Sequence, residues 1–469
     1  MEATKAINPQ VRTTITSKRS KASAASSKSF IERMPSEILT KILLYLDVSA
    51  LFNLGNVNKY LHRIVNDNVL WKGIYTAEFE NCKKIKPKCI DKLLKMATVE
   101  ENDQALGYWK WLYFRTVAAY DMNKWKRQLQ HINLYTGLPS QTEKILRGLH
   151  ITWELTVSDK SGHKGTHELS QALFSETSVT LCWSRGDCLP SYQHISTLQL
   201  HAVRKIALNC TGPYKPGLRS LMAEIDVQTF SQSMRVIGQD RLVELWLLKP
   251  GIVLGIWKDQ GSIAFLMLTL HFHKLVEKCT QGYPCRLLLN SSEVDPTVRP
   301  PIDDVDPEYG LHGYQLQLLL HDTVREIVSG SFSQLHCKRV HICDGLIQLT
   351  AIRTKDLSQH IPLSGIITLP WSSEVLQGAV QNCCIMNLTL LDEFKTPFWC
   401  VSSPVSVTAE DTSVSFDCSG DHFLIHYKDP DGQVEMKLIW MEEQKRFFLV
   451  SLVVSVTVCK VNKHFSRNY

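Results

Sequence analysis

Residues 149–157 read Leu-His-Ile-Thr-Trp-Glu-Leu-Thr-Val, and within them the spacing of apolar side chains changes from about 3.6 to 2. Ile151, Trp153, Leu155 and Val157 alternate with Thr152, Glu154 and Thr156, the pattern of a strand with one buried face. A β body begins here. Ahead of it, between Lys92 and Arg147, Trp109, Leu112, Tyr113, Val117, Ala118 and Tyr120 recur at helical spacing before Trp125, which predicts a helical bridge over 81–147. Behind it, alternating or apolar runs at 178–183, 221–229, 242–248, 252–257, 263–273, 314–320, 346–353, 384–391, 422–428, 433–441 and 446–460 predict further strands. Lys249-Pro-Gly, Asp259-Gln-Gly-Ser, Cys343-Asp-Gly and Asp429-Pro-Asp-Gly separate them, supplying preset or positive φ where the chain must reverse. Short strands at this spacing make sandwiches or barrels, mainly antiparallel, so the fold class is α+β. Residues 292–308 hold four prolines and six acidic side chains. They suit either a linker between two β subdomains, 148–291 and 309–469, or an acidic loop on one large sandwich or barrel.

A chain of 469 residues exceeds what one hydrophobic core usually serves. Its 44% apolar and 21% charged residues are those of a globular protein. The formal charge of +6 is unevenly spread: residues 1–29 carry +5, residues 81–147 carry +7, and residues 148–469 carry −5. Basic tails and helices mostly serve as solvated surface, so nucleic acid is not expected as a partner. Residues 1–29 are rich in Ser, Thr, Lys and Ala without apolar periodicity and are expected to form a disordered basic tail. Fourteen cysteines without a Cys-x-x-Cys pair point to free thiols in a reducing compartment, cytoplasmic or nuclear. The longest apolar stretches, such as Phe447–Val458, fall short of the roughly 20 residues of a membrane-spanning helix, so no membrane insertion is expected. The sequons at Asn209, Asn290 and Asn387 are expected to stay unmodified in such a compartment.

Residues 34–46 read Met-Pro-Ser-Glu-Ile-Leu-Thr-Lys-Ile-Leu-Leu-Tyr-Leu, and the pattern continues to Leu70-Trp71 and Tyr75. Pro35 preorganises a first turn, Glu37 complements its dipole, and Ile38, Leu39, Ile42, Leu43 and Leu46 form one expected stripe. Ser49 can cap a second helix offering Leu51 and Leu54. Asn58 can cap a third offering Leu61, Ile64 and Val65. Three helices in about forty residues have too little core to be comfortable alone, so their apolar surplus is expected to meet a partner.

Over 30–80 the chain resembles the F-box, with Pro35, Glu37, Ile38, Leu39, Ile42, Leu46, Leu51, Leu54, Val57, Lys59, Leu70 and Trp71 at the family's positions. Met34 stands for the usual leading Leu, Asn58 for Cys and Leu61 for Trp; two of these three stay apolar. No leucine-rich or WD repeat follows, which resembles the F-box-only class. The resemblance implies a non-catalytic substrate receptor of an SCF-type ubiquitin ligase. Its F-box would dock on the S-phase-kinase-associated adaptor, and through it on a cullin and a RING subunit. The adaptor-binding residues it implies are Met34, Pro35, Ile38, Leu39, Ile42, Leu46, Leu51, Leu54, Val57, Leu61 and Trp71. An adaptor-bound scaffold acting outside the ligase is the alternative, and the protein substrate stays unnamed.

The remaining constellations imply little chemistry. Cys182/Cys188, Cys279/Cys285 and Cys337/Cys343 share a Cys-x5-Cys spacing, which spans roughly 20 Å on a strand, too far for one zinc. His336, Cys337, His341 and Cys343 are the densest cluster, and His271 and His273 are expected on one strand face. No phosphate loop, nucleophile elbow or His-Glu-x-x-His occurs, so neither catalysis, metal nor cofactor is expected. Aromatics and cations interleaved over 109–125 are read as a helix wedged between the F-box and the β body.

Overall fold

The alternation at 151–157 forms strand β1 (Ile151–Asp159), with Ile151, Trp153, Leu155 and Val157 all buried. The computed structural model describes residues 31–80, 107–184, 189, 191–205, 217–227, 234–249, 251–259, 261–280, 306–373, 376–410 and 421–469. The expected tail over 1–29, residues 81–106 of the expected bridge, and 292–305 of the acidic segment lie outside the described residues.

From β1 the first half continues through β2 (Lys164–Glu168), β3 (Gln171–Phe174), β4 (Ser178–Trp183), β5 (Ile195–Lys205), β6 (Gly217–Asp226), β7 (Arg235–Gln239), β8 (Val243–Lys249), β9 (Ile252–Trp257) and β10 (Ile263–His271). The second half holds β11 (Tyr314–His321), β12 (Glu326–Leu335), β13 (Leu346–Ile352), β14 (Ile361–Pro362), β15 (Thr368–Ser372), β16 (Gln377–Gln381), β17 (Cys383–Leu391), β18 (Pro397–Ala409), β19 (Asp421–Lys428), β20 (Gly432–Met441) and β21 (Arg446–Thr457). The ladders between them are antiparallel.

In the first half, the sheet β2-β1-β5-β6 faces the sheet β3-β4-β10-β9-β8-β7, and Trp153, Leu155, Leu181, Leu200, Leu254 and Leu266 share the core between them. In the second half the path β12-β11-β17-β18-β19-β20-β21-β13 curls until its end strands lie beside each other, a nearly closed barrel filled by Leu316, Leu318, Met386, Met436 and Leu452. A third cluster joins the halves. Val253, Phe265 and Met267 meet Leu369, Trp371, Val380 and Ile385 across the outer face of the six-stranded sheet. Strands covered on both faces need apolar residues at successive positions, which accounts for the runs Ile252–Ile256 and Cys383–Leu391. Asn387 and Thr389 are the buried polar positions in β17. The Asn387 Nδ2 lies 2.8 Å from His321 Nε2, so this side chain has no surface on which to carry a glycan.

Among the described residues the α-helices are α1 (Ser36–Leu43), α2 (Val48–Gly55), α3 (Lys59–Val65), α4 (Asn68–Tyr75), α5 (Tyr108–Leu129), α6 (Thr142–Gly148), α7 (Leu275–Thr280) and α8 (Val458–Phe465). Two expectations shift. Leu138, Ile145 and Leu146, assigned to the bridge, are fully buried in the core of the first β half, so that unit extends upstream of residue 148. The strand expected over 446–460 stops at Thr457, whose hydroxyl accepts from the Lys460 amide at 3.4 Å and caps α8. Among the described residues no helix is long and apolar enough to cross a membrane.

Candidate functional site

Short polar side chains start the N-terminal helices. Asp47 Oδ1 accepts from the Ala50 amide at 2.7 Å, Asn58 Oδ1 from Leu61 at 2.8 Å, and Asp67 Oδ1 from Val69 at 2.8 Å. Asp47, not the expected Ser49, is therefore the cap of α2. The closing Leu70-Trp71 lies on a fourth helix that the sequence reading did not separate. Leu39, Leu43, Leu51, Ile64, Val65 and Leu70 form the interior of the unit, with Met34 and Leu54 partly buried against it.

The five-residue stripe expected on α1 is split. Leu39 and Leu43 turn inward, while Ile38 (46% exposed), Ile42 (46%) and Leu46 (37%) face outward. Residues four apart on a helix stack in one row, so Ile38 and Ile42 form an apolar row on α1, and Leu46 is exposed in the turn that follows it. Pro35 is exposed at its start, Tyr45 and Leu44 are exposed beside its end, and Val57 is exposed on the α2–α3 connection. Leu39, Leu51, Leu61 and Trp71, expected among the adaptor-binding residues, lie off that surface, and each is buried.

Trp71 faces α5. Its Nε1 donates to the Val65 carbonyl at 2.7 Å, and its ring lies 5.5 Å from Tyr113 and 5.6 Å from Phe114. Lys110 Nζ sits 4.4 Å from the Phe52 ring centre and 5.6 Å from that of Trp71, and donates to Asn66 Oδ1 at 2.6 Å. Burial lowers its pKa to about 8. Asn68 Oδ1 accepts from Gly107 N at 3.1 Å and Trp109 N at 3.4 Å, so the first turn of α4 caps α5. Tyr113 donates to Glu78 Oε2 at 2.8 Å. Leu218 of β6 joins the same aromatic cluster, and Trp125 lies against Gly148. The helix is thus wedged between the F-box and the β body. Lys110 was among the cations interleaved with the bridge aromatics, but its partners Phe52 and Asn66, and the capping Asn68, were not singled out in the sequence; the signal for the cap was the Asp-Asn pair before the closing Leu-Trp.

The Cys and His clusters do not form a metal-ligand set among the described residues. Cys188 and Cys285 lie outside the described residues. Cys337 is buried, whereas His336, His341 and Cys343 are exposed. His271 ends β10 and the chain bends there, so His273 N donates to His271 Nδ1 at 3.2 Å while His271 Nε2 lies 3.3 Å from Thr389 Oγ1. The two rings therefore do not stand side by side on a strand face. Burial holds the first down to about 3 and the second to about 4. Among the described residues no group of three His, Cys, Asp or Glu side chains is arranged to hold a metal.

The F-box-like family model matches residues 31–77, from the turn before α1 through α4. F-box only protein 15 of Homo sapiens is 35% identical over 450 residues, covering 94% of this chain and 86% of that protein. F-box only protein 15 of Macaca fascicularis is 34% identical, covering 93% of this chain and all of that protein, and that of Mus musculus is 30% identical over 92% of this chain. With these alignments covering more than nine tenths of the chain, it belongs to the F-box only protein 15 family.

Proposed function

We propose that this chain is the substrate-recognition subunit of an SCF-type ubiquitin ligase, docking on the S-phase-kinase-associated adaptor through its F-box and presenting a protein held by the β body. The observation that carries the reading is the exposed apolar surface of Ile38, Ile42 and Leu46, together with exposed Leu44, Tyr45 and Val57, on a helical unit whose interior is already filled by Leu39, Leu43, Leu51 and Leu70. Apolar side chains aligned on a small unit gain most when a partner covers them. The receptor itself contributes no chemistry. Its work is proximity: a substrate lysine held near a charged conjugating enzyme on the cullin and RING subunit reacts as if intramolecular. The joint between F-box and α5 suits that role, because a helix of 22 residues, about 33 Å long, fixes spacing only when both ends are anchored. Free thiols such as those of buried Cys279, Cys383 and Cys384 suit action in the cytoplasm or nucleus.

The test is co-purification of adaptor and cullin from cells with Ile38→Asp/Ile42→Asp. Both side chains are exposed, so the helix should survive while a buried charge at the interface costs several kcal/mol. Loss of both partners with an unchanged melting curve is expected. Wild-type recovery of both would sink the reading, and adaptor recovered without cullin from the unaltered protein would favour the scaffold alternative.

A further inference from the structure

The second-half barrel leaves one seam. Among the described strands, β12 is laddered to β11 and β13 to β21, while β12 and β13 lie side by side without a ladder. At one end the seam is pinned, for the Ser364 amide donates to the Ile327 carbonyl at 2.7 Å. Toward the other it widens into a groove of about 490 Å³. A bulge in each strand sits at this opening. β12 changes register between the Tyr314–Leu335 and Leu316–Phe332 pairs, with Gln334 at φ 57°, and β13 changes register between Thr350 and Ile352.

Sheet edges are normally guarded by large charged side chains or proline. Here the only charged residue of β12 is exposed Glu326 at the pinned end; toward the groove its exposed residues are Ser329, Ser331, Ser333 and Gln334. A group that does meet the edge is displaceable: the Gln359 side chain accepts from the Arg353 amide at 3.0 Å. Lys338 and Arg353 lie on the groove walls with two histidines, and no carboxylate lines it. That is a cationic groove on a body whose net charge from 148 to 469 is −5.

We propose that this seam reads the substrate, taking an extended acidic segment of a partner protein as an added strand between β12 and β13; the assignment rests on the receptor reading above. Alternation along the path makes β12 and β13 antiparallel to each other, so the added strand pairs antiparallel with one and parallel with the other. Backbone bonds to the two edges supply affinity without regard to sequence. Lys338 and Arg353 supply the preference for carboxylates.

The full-length chain is panned against displayed random peptides. Enriched peptides should be rich in Asp and Glu, and should bind Lys338→Glu/Arg353→Glu more weakly by about tenfold or more. Both side chains are exposed, so the variant should melt as the wild type does and still co-purify with adaptor. Methylating alternate backbone nitrogens of the best peptide should weaken it comparably, which charge attraction alone does not require. Enrichment without acidic bias, no enrichment, equal binding by the variant, or indifference to methylation overturns the proposal. Failure of the receptor reading looks different, with adaptor absent from the purified protein while acidic peptides still bind.

Discussion

Trp71 occupies the position at which the F-box pattern closes, and the resemblance placed it among the docking residues. In the structure it is 0% exposed and joins the F-box interior to α5 through Phe52, Tyr113 and Phe114. Deleting a buried indole leaves a large cavity, so Trp71→Ala should cost about 3–5 kcal/mol, read as a lower urea midpoint for the helical unit. Ile42→Asp, on the outer row, should move that midpoint by less than about 0.5 kcal/mol while weakening adaptor capture. Equal effects on stability would mean the two side chains share an environment. Lys110, between the same rings, makes a pH prediction. Its pKa is about 8 when folded and near 10.5 when unfolded, so the folded chain binds fewer protons between those values. The cost of burying its charge is fully present below pH 8 and vanishes as pH rises to about 10.5. Lys110→Met has no such titration. The stability of the wild type relative to this variant should therefore climb over that window, and a flat difference would show that the ammonium is solvated.

At the scale of elements, the Asp429-Pro-Asp-Gly turn shows how one carboxylate can tie a hairpin to its barrel. Asp429 Oδ1 accepts from Asp431 N at 2.8 Å and Gly432 N at 2.9 Å, and its Oδ2 accepts from Trp399 Nε1 and the Tyr427 hydroxyl, each at 3.2 Å. Asp429→Ala would orphan two buried donors as well as the turn, and should lower stability by about 2–3 kcal/mol in chemical denaturation. Asp429→Asn, which keeps acceptor capacity, should lose less; the reverse order would refute the assigned roles. This turn was legible in the sequence because its residues act locally. β18 was not. Pro397, Pro404 and the three serines at 402, 403 and 406 interrupt the apolar pattern and no strand was expected over them, yet they lie in a thirteen-residue strand. Pro404 pairs with Ile385 on one side, while pairing with β19 begins only at Val407, so the missing amide costs no ladder bond there. The F-box helices were legible for the opposite reason, since periodicity marks an apolar row within one short segment. Periodicity does not say which flank of α1 the other helices cover. Ile38 and Leu39 are neighbours in the same pattern, and only packing against α3 and α4 turned the second inward.

At the scale of the whole chain, the open issue in the sequence was whether the acidic segment over 292–308 separates two β units or decorates one. The halves have separate cores, but the cluster between them is built from both. Trp371 of β15 stacks on Phe265 of β10 at 5.6 Å, stands edge-on to Trp257 at 5.8 Å, and donates to Asp240 Oδ2 at 2.5 Å. Gly255, paired with Phe265 across β9 and β10, leaves the space that this ring fills. Ser178 of the first half donates to Asn387 of the second at 3.3 Å, and Gly251 N to Ser403 Oγ at 3.2 Å. Unfolding either half alone would expose an apolar sheet face and strand these buried polar groups, so the two should unfold together. Hydrogen exchange at β1 and at β20 should then report the same opening free energy in the wild type. Trp371→Ala removes the central ring of the junction at a cost of about 3–5 kcal/mol and should separate the two values, with one half exchanging before the other. Distinct values already in the wild type would instead mean that the β body is two domains in contact.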